Sequence, residues 1–162
     1  MEKHVLSALV SNHSGVLSRV SSLFGQRGYN IASLTVSATN NDKISRITIV
    51  VLGDEHIVEQ IIKQLSKLED VIKVRKVNLQ NALCLELLLL KMKIDASSLT
   101  KIKEVSEIFR AKIIDVSPTS IVLELTGQES KIDAFLDFLS QYEIMEMCRT
   151  GITAMERGSS VI

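Results

Sequence analysis

The spacing of apolar residues changes along the chain, and each spacing predicts one element. A short β-rich run from His4 to Val10 predicts a strand. Between Val16 and Phe24 the apolar residues fall at helical intervals, and the helix is expected to end at Gly25 and Gly28. From Ala32 to Ala38 the period is two, which is typical of a half-buried strand.

The same alternation continues beyond a polar turn at 39–42 and predicts a strand through 47–51. Gly53 and Asp54 then open a stretch with helical spacing that reaches Leu68. A last strand is expected from Val71 to Val77. The first half therefore has the order βαββαβ.

The second half repeats this order. A strand from Leu83 to Lys93 precedes a helix from Leu99 to Phe109, with Ser97 and Ser98 as candidate caps. The remaining predicted elements are a hairpin of 112–116 and 121–126 around the turn 117–120, a helix at 132–139 and a strand at 144–150.

Two copies of one pattern predict two domains, 1–78 and 79–162. The order βαββαβ is that of a ferredoxin-like unit, so the expected class is α+β, with two antiparallel sheets that each carry helices on one face. The stretch CLELLLLKMK, which starts at Cys84, is apolar on both sides of its strand. We therefore expect self-association or a protein partner.

Composition excludes several classes of function. The 162 residues are 46% hydrophobic and carry 19 Lys and Arg against 19 Asp and Glu, so no broad basic surface for nucleic acid or anionic membrane is expected. The start MEKHVLSALV resembles neither a leader nor a membrane span, which favours a soluble, cytoplasmic protein. Cys84 and Cys148 lack metal or redox spacing and are expected to be buried thiols.

Catalytic chemistry has no candidate in the sequence. The three histidines, His4, His13 and His56, stand near no nucleophile and carboxylate arrangement, and none has metal-ligand spacing. His13 lies in an exposed turn, where a polar side chain usually contacts only solvent. Glycines follow neither the Rossmann nor the Walker spacing. We therefore expect no catalytic residue, no metal site and no cofactor in this chain.

A small polar turn between the first strand and helix is the candidate binding site. Asn12 offers an amide, and Gly15 lets a ligand approach the backbone closely. The N–H groups near Gly15, Val16 and Leu17 would face a carboxylate, with the helix dipole behind them. Asn30, at the start of the next strand, supplies a second amide.

A purely structural alternative stays open for the same residues. Asn12 and Ser14 can simply cap the helix, since both residue types are common caps. Gly28 with Asn30 can simply form the turn that follows the helix. Local pattern does not decide between a binding site and a capped helix.

Longer stretches of the chain resemble one family. The run NHSGVLSRVSSLFGQRGYNIASLTV followed by SRITIVV resembles the ACT domain that begins the regulatory small subunit of acetolactate synthase, also called acetohydroxyacid synthase. The stretches EIFRAKIIDVSPTSIVLELTG, KIDAFL and RTGITAMERG resemble the carboxy-terminal domain of that subunit. His13 stands where an acidic or other polar residue is common in the family.

The resemblance implies a non-catalytic subunit that activates the catalytic large subunit and confers feedback inhibition, usually by valine, in branched-chain amino acid synthesis. Thiamine diphosphate, magnesium and FAD would belong to the catalytic chain. The small subunit would be a homodimer, paired through its ACT domain, with the effector between protomers. By similarity the effector-binding residues are Asn12, Ser14, Gly15, Val16 and Leu17 from one protomer, with Asn30 and Ile31 from the other.

Other functions share the topology. A stand-alone ACT protein would bind an amino acid and regulate another enzyme. An RNA-recognition module would need aromatic residues on the central strands and a basic face, which this chain lacks. An acylphosphatase-type enzyme would need an arginine in the phosphate-binding turn, whereas Arg19 and Arg27 lie on or after the first helix.

Overall fold

The computed structural model describes residues 2–162 and divides the chain into two compact units. The first unit contains the residues up to Leu83 together with Ile152–Ile162, and the second contains Cys84–Gly151. The sequence predicted one boundary, between residues 78 and 79. The compact units instead divide at 83/84 and again at 151/152, so the second unit interrupts the first.

The first unit contains one four-stranded sheet. Its elements are β1 (Glu2–Ser11), α1 (Val16–Arg27), β2 (Ile31–Ala38), β3 (Ile44–Gly53), α2 (Glu55–Leu65) and β4 (Val71–Lys76), followed by a short 3-10 helix at Leu79–Asn81. The strand order is β2-β3-β1-β4, and each neighbouring pair is antiparallel. This is the predicted βαββαβ unit.

Both helices of this unit pack on one face of the sheet. In the register, Ile49 lies opposite Leu6 on β1 and opposite Leu34 on β2, so alternate residues of three strands point to the same side. Phe24 from α1 and Ile61 from α2 join Leu6 and Ile49 in a single buried cluster. Alternate residues of the strands and the apolar residues on one face of each helix therefore pack together into one core.

The helix ends follow local chemistry. Gly28 ends α1 in the left-handed conformation, with φ of 66°. Gly25, which was expected to help end the helix, lies inside α1 because its backbone remains helical. Asp54 begins α2 by accepting a hydrogen bond from the Ile57 amide at 2.9 Å.

The second unit repeats the arrangement. Its elements are β5 (Ala82–Lys93, of which the first two residues belong to the first unit), α3 (Ser98–Phe109), β6 (Lys112–Val116), β7 (Ser120–Gly127), α4 (Glu129–Leu139) and β8 (Ile144–Arg149). The antiparallel order is β6-β7-β5-β8. Leu88, Leu90 and Met92 on β5 are fully buried in one cluster with Phe135 of α4. The predicted α+β class, with two ferredoxin-like units, is confirmed.

Asp95, three residues before the first residue of α3, holds the start of this helix. Asp95 accepts hydrogen bonds from the Ser97 amide at 2.8 Å, the Ser97 hydroxyl at 2.7 Å and the Ser98 amide at 2.8 Å. These bonds lower the pKa of Asp95 to about 2. Ser97 occupies the cap position of α3, as predicted, but makes no side-chain cap bond, and Ser98 is the first residue of the helix.

An ion cluster, in which Glu86 is buried and Asp133 is exposed, joins β5, β8 and α4 in the second unit. Glu86 on β5 is only 4% exposed and accepts a hydrogen bond from Nε of Arg149. Nη1 of the same guanidinium donates to Asp133 of α4 at 2.8 Å. Hydrogen bonds to these two carboxylates, which outweigh desolvation, raise the pKa of Arg149. The cluster therefore fixes the end of β8 against its neighbours.

The segment after the second unit returns to the first unit and contains β9 (Thr153–Glu156). Nη2 of Arg46 donates to the Ala154 carbonyl at 2.8 Å, and Nη1 of Arg75 lies 3.6 Å from Oε2 of Glu156. Arg46 is on β3 and Arg75 is on β4, so two strands of the first sheet hold this segment. These contacts explain why residues 152–162 are part of the first compact unit, although they follow the second unit in the sequence.

The cysteines differ from expectation in their burial. Cys148 is exposed and Cys84 is half-buried, and both are free. Cys148 lies on β8, the edge strand of its sheet, where fewer neighbours cover a side chain. The prediction of a buried thiol is therefore wrong for Cys148, whereas partial burial raises the pKa of the Cys84 thiol.

Candidate functional site: the turn between β1 and α1

Asn12 anchors the turn that connects β1 to α1. Its backbone amide donates to the Lys43 carbonyl at 2.8 Å, and its side-chain Nδ2 donates to the Asp42 carbonyl at 2.7 Å. Both acceptors lie in the connection between β2 and β3. The amide group of Asn12 is thus used to hold two loops together and is not directed at the amides of α1.

The amino end of α1 lacks a side-chain cap. Gly15 occupies the cap position with φ of 88° and ψ of −14°, and among residues 2–162 no side-chain cap bond to the helix start is found. The alternative that Asn12 or Ser14 caps this helix is therefore wrong. The first amides of a helix have no partner within it, so those near Val16 and Leu17 keep their donors for another acceptor.

A positive φ, and not lack of space, selects glycine at this turn. A Cβ added to Gly15 would lie 3.7 Å from Nη1 of Arg19, which is ordinary van der Waals contact. A non-glycine residue at this φ would nevertheless be strained. The conformation turns the chain sharply into α1 and leaves the backbone of the turn open.

Three charged or titratable side chains meet beside the turn. Nε and Nη2 of Arg19 lie 2.6 and 2.5 Å from Oδ2 of Asp70. Nε2 of His13 lies 2.9 Å from Oδ1 of the same carboxylate. The Asp70 side chain is only 13% exposed, whereas His13 is half-exposed. His13 is thus in solvent as expected, but it also contacts Asp70.

Arg19 and Asp70 were not recognised as site residues from the sequence. The Arg19 amide donates to the Gly15 carbonyl at 3.0 Å, so Arg19 lies one helical turn beyond the cap. Asp70 immediately precedes β4, and its carbonyl accepts a hydrogen bond from the Ser11 amide at 2.8 Å. Because β4 pairs antiparallel with β1 in this topology, the residue before β4 lies beside the end of β1. The predicted pairing of β4 with β1 was therefore the feature that could have placed Asp70 beside the turn.

Asn30 and Ile31 lie at the other end of α1. This helix has 12 residues, so its ends are about 18 Å apart. In the sheet, Ile31 is opposite Val51, whereas Ser11 is opposite Ile44 at the other end of β3. One chain therefore brings Asn12, Ser14, Gly15, Val16 and Leu17 together but does not bring Asn30 and Ile31 to them.

Residues 2–162 contain neither a metal-binding cluster nor a membrane-spanning helix. No group of three or more His, Cys, Asp or Glu side chains in this range is placed to hold a metal ion. No helix in this range is long and apolar enough to cross a membrane.

Comparison with known proteins assigns the chain to a family. Residues 6–73 match the family described as AHAS small subunit-like ACT domain, in which AHAS denotes acetohydroxyacid synthase. Residues 85–158 match the family described as small subunit of acetolactate synthase. A probable acetolactate synthase small subunit from Archaeoglobus fulgidus is 48% identical over 97% of this chain and 98% of its own length. The chain belongs to the acetolactate synthase small-subunit family.

Further relatives span the same length. The small subunit of acetolactate synthase isozyme 3 from Escherichia coli is 42% identical and covers 99% of both chains. The crystal structure of the acetolactate synthase small subunit from Thermotoga maritima has a TM-score of 0.92 and 41% identity, and it covers 99% of this chain and 100% of its own. The family resemblance predicted from the sequence is confirmed. This small subunit is a regulatory, non-catalytic chain with an ACT domain.

Proposed function

We propose that this small subunit activates the catalytic large subunit of acetolactate synthase in the cytoplasm and makes it sensitive to a branched-chain amino acid, with valine as the first candidate. The family membership supports a catalytic partner. Thiamine diphosphate, magnesium and FAD would all be held by that partner, and this chain would contribute regulation alone.

The observation that carries the effector proposal is the uncapped amino end of α1. Helix amides and the positive end of the helix dipole favour an anion, and an amino acid offers a carboxylate of suitable size. In the proposal the amides that follow Gly15 bind this carboxylate. Asn12, fixed by its bond to the Asp42 carbonyl, sets the shape of the turn and so the direction of the amides.

A second protomer is needed to complete the site. Asn30 is exposed and lies about 18 Å along α1 from the turn, so it must reach the effector from another copy of the chain. β2, which begins directly after Asn30, is an edge strand of the first sheet. An edge strand offers unpaired backbone groups to a partner. We therefore propose a homodimer through the first unit, with Asn30 and Ile31 of the second protomer completing the site.

Feedback inhibition follows if the effector favours one arrangement of the complex over another. A coupling of about 1–3 kcal/mol, common for allosteric proteins, would change the response of the enzyme about 5- to 150-fold. Valine, leucine and isoleucine would meet the same backbone donors. Discrimination among them rests on side-chain fit, which is often about 1–3 kcal/mol for one methylene group.

Calorimetric titration of the full chain tests the proposal. Valine, leucine and isoleucine are titrated into the wild type, into Asn30→Ala and into Asn81→Ala. Asn81 is an exposed residue of the 3-10 helix after β4 and serves as the matched control. We expect saturable binding by the wild type and by the control variant, and a loss of at least about tenfold in Asn30→Ala, since each lost hydrogen bond to a charged group weakens binding by about that factor.

The same variants are then tested with the catalytic subunit. The proposal predicts stimulation of acetolactate formation by all three chains and loss of valine inhibition in Asn30→Ala. If the wild type binds none of the three amino acids, alone or in the complex, and valine does not inhibit the complex, the effector assignment is refuted. If the chain does not stimulate the catalytic subunit, the proposed activation is refuted.

A further inference from the structure

Asp70 contacts three residues around the turn, two through its side chain and one through its backbone carbonyl. Its side chain binds His13 within the turn and Arg19 on the first turn of α1, while its carbonyl accepts from Ser11 at the end of β1. A single residue thus contacts the chain before, within and after the candidate site. Because the side chain is 13% exposed, the carboxylate is largely withdrawn from water. Such burial is unfavourable unless partners compensate for it.

The contacts of Arg19 leave one part of its guanidinium group available. Nε and Nη2 face Asp70. Nη1, the third nitrogen of the group, lies 3.7 Å from the position that a Cβ would occupy on Gly15. This nitrogen is therefore close to the uncapped amino end of α1.

We infer that Asp70 is a positioning residue for effector binding and that it holds Arg19 so that Nη1 makes a charge-assisted hydrogen bond to the effector carboxylate. This inference rests on the proposed function of the turn. It adds a cationic side chain to a site otherwise built from backbone amides, Asn12 and Asn30. Arginine suits the role because its planar group can bind two carboxylates at once, in fixed directions.

Electrostatics supports the need for Arg19. The Asp70 carboxylate near an anion site would repel the effector unless a neighbouring cation balanced it. Arg19 balances this charge in the same contact that fixes its own orientation. Without Asp70, the side chain of Arg19 would sample several rotamers, and effector binding would then have to order it.

A merely structural role for Asp70 predicts a different result. In that case its loss would lower the stability of the first unit through the contacts to His13, Arg19 and Ser11, but the folded protein would bind the effector as before. Affinity measured well below the unfolding transition, beside the unfolding midpoint in urea, separates the two roles.

The test is a double-mutant cycle on the full chain with L-valine as the probe. The variants are Asp70→Asn, Arg19→Gln and the double variant, which retain side chains of similar size. Glu59→Gln is the matched control, because Glu59 is an exposed carboxylate of α2 that lies 3.8 Å from the amine of Lys63. Affinity is measured by calorimetry, both alone and in the complex with the catalytic subunit.

We expect each single variant at Asp70 or Arg19 to weaken valine binding about tenfold or more, as for a lost hydrogen bond to a charged group. The double variant should be no weaker than Arg19→Gln, because Asp70 acts through Arg19. Glu59→Gln should bind as the wild type does.

Two results would overturn the inference, and they differ in what they imply for the effector site. If the wild type binds valine and Asp70→Asn and Arg19→Gln bind it equally well, the positioning role is wrong but the proposed function stands. If the wild type binds no branched-chain amino acid, alone or in the complex, the effector assignment and the inference are both wrong.

Discussion

Gly15 gives the most direct test of the geometry at the effector turn. The backbone there has φ of 88°, a conformation that residues with a Cβ rarely adopt. Replacing Gly15 by alanine adds one methyl group and changes no charge. Any effect therefore reports the backbone conformation of the turn.

The expected loss of stability can be worked from the surroundings of Gly15. The new Cβ would have its nearest neighbour, Nη1 of Arg19, at 3.7 Å, so no steric clash contributes. The left-handed conformation costs alanine about 1–2 kcal/mol. Alanine also restricts the unfolded chain, which offsets about 0.4–1 kcal/mol. Gly15→Ala should therefore lower the free energy of unfolding by about 1 kcal/mol.

The same helix provides a control of opposite sign. Gly25 lies inside α1, is exposed, and would place a Cβ with no atom within 4 Å. Alanine is favoured over glycine in a helix interior by about 0.8–1 kcal/mol. Gly25→Ala should therefore raise stability by about that amount, so the two variants should differ by about 2 kcal/mol.

Urea unfolding of the full chain, followed by circular dichroism and valine titration, measures both effects. Gly15→Ala should also weaken valine binding, because a change of φ at residue 15 redirects the amides of Val16 and Leu17. Gly25→Ala should bind valine normally. Equal stability changes in the two variants, or a stabilised Gly15→Ala, would refute the left-handed turn.

Three further predictions concern the second unit, and urea unfolding measures each of them. Arg149→Met leaves Glu86, which is 4% exposed, without a cation and should cost about 3 kcal/mol; adding Glu86→Leu should recover most of this, and no recovery would contradict the charge argument. Asp95→Ala removes the carboxylate that holds the start of α3. Because the pKa of Asp95 is about 2 when folded and about 3.9 when unfolded, its stabilisation is present above pH 4 and fades as the pH falls towards 2, so a pH-independent difference from wild type would contradict this role. Phe135→Ala should cost about 3–5 kcal/mol because Phe135 is fully buried, and a loss below about 1 kcal/mol would place it outside the core.

Regular periodicity made most of the fold predictable. Residues such as Leu6, Ile49 and Phe24 alternate or recur at intervals that only one face of a strand or helix can satisfy, and all three are buried as expected. The turn before α1 was also predictable, because small polar residues and glycine are typical of the connection between a strand and a helix.

Features that depend on distant parts of the chain were not predicted. The contact of Asp70 with Arg19 joins residues 51 positions apart, and neither residue has a local pattern that indicates it. Ser97 occupies the cap position of α3, but its side chain makes no cap bond, and Asp95, two residues earlier, accepts hydrogen bonds from the Ser97 and Ser98 amides. Arg46 likewise binds a carbonyl 108 residues away. Such contacts follow from topology and loop path, which periodicity does not specify.

The interruption of the first unit by the second has a consequence for synthesis on the ribosome. Residues 152–162 are translated after the whole of the second unit, although Arg46 and Arg75 in the first unit bind them. During translation, Arg46 and Arg75 therefore have no contact with that segment until residues 84–151 have been synthesised. The contacts of Arg46 and Arg75 with this segment therefore form late in biogenesis. A gene fragment that ends at residue 83 would encode a first unit without residues 152–162.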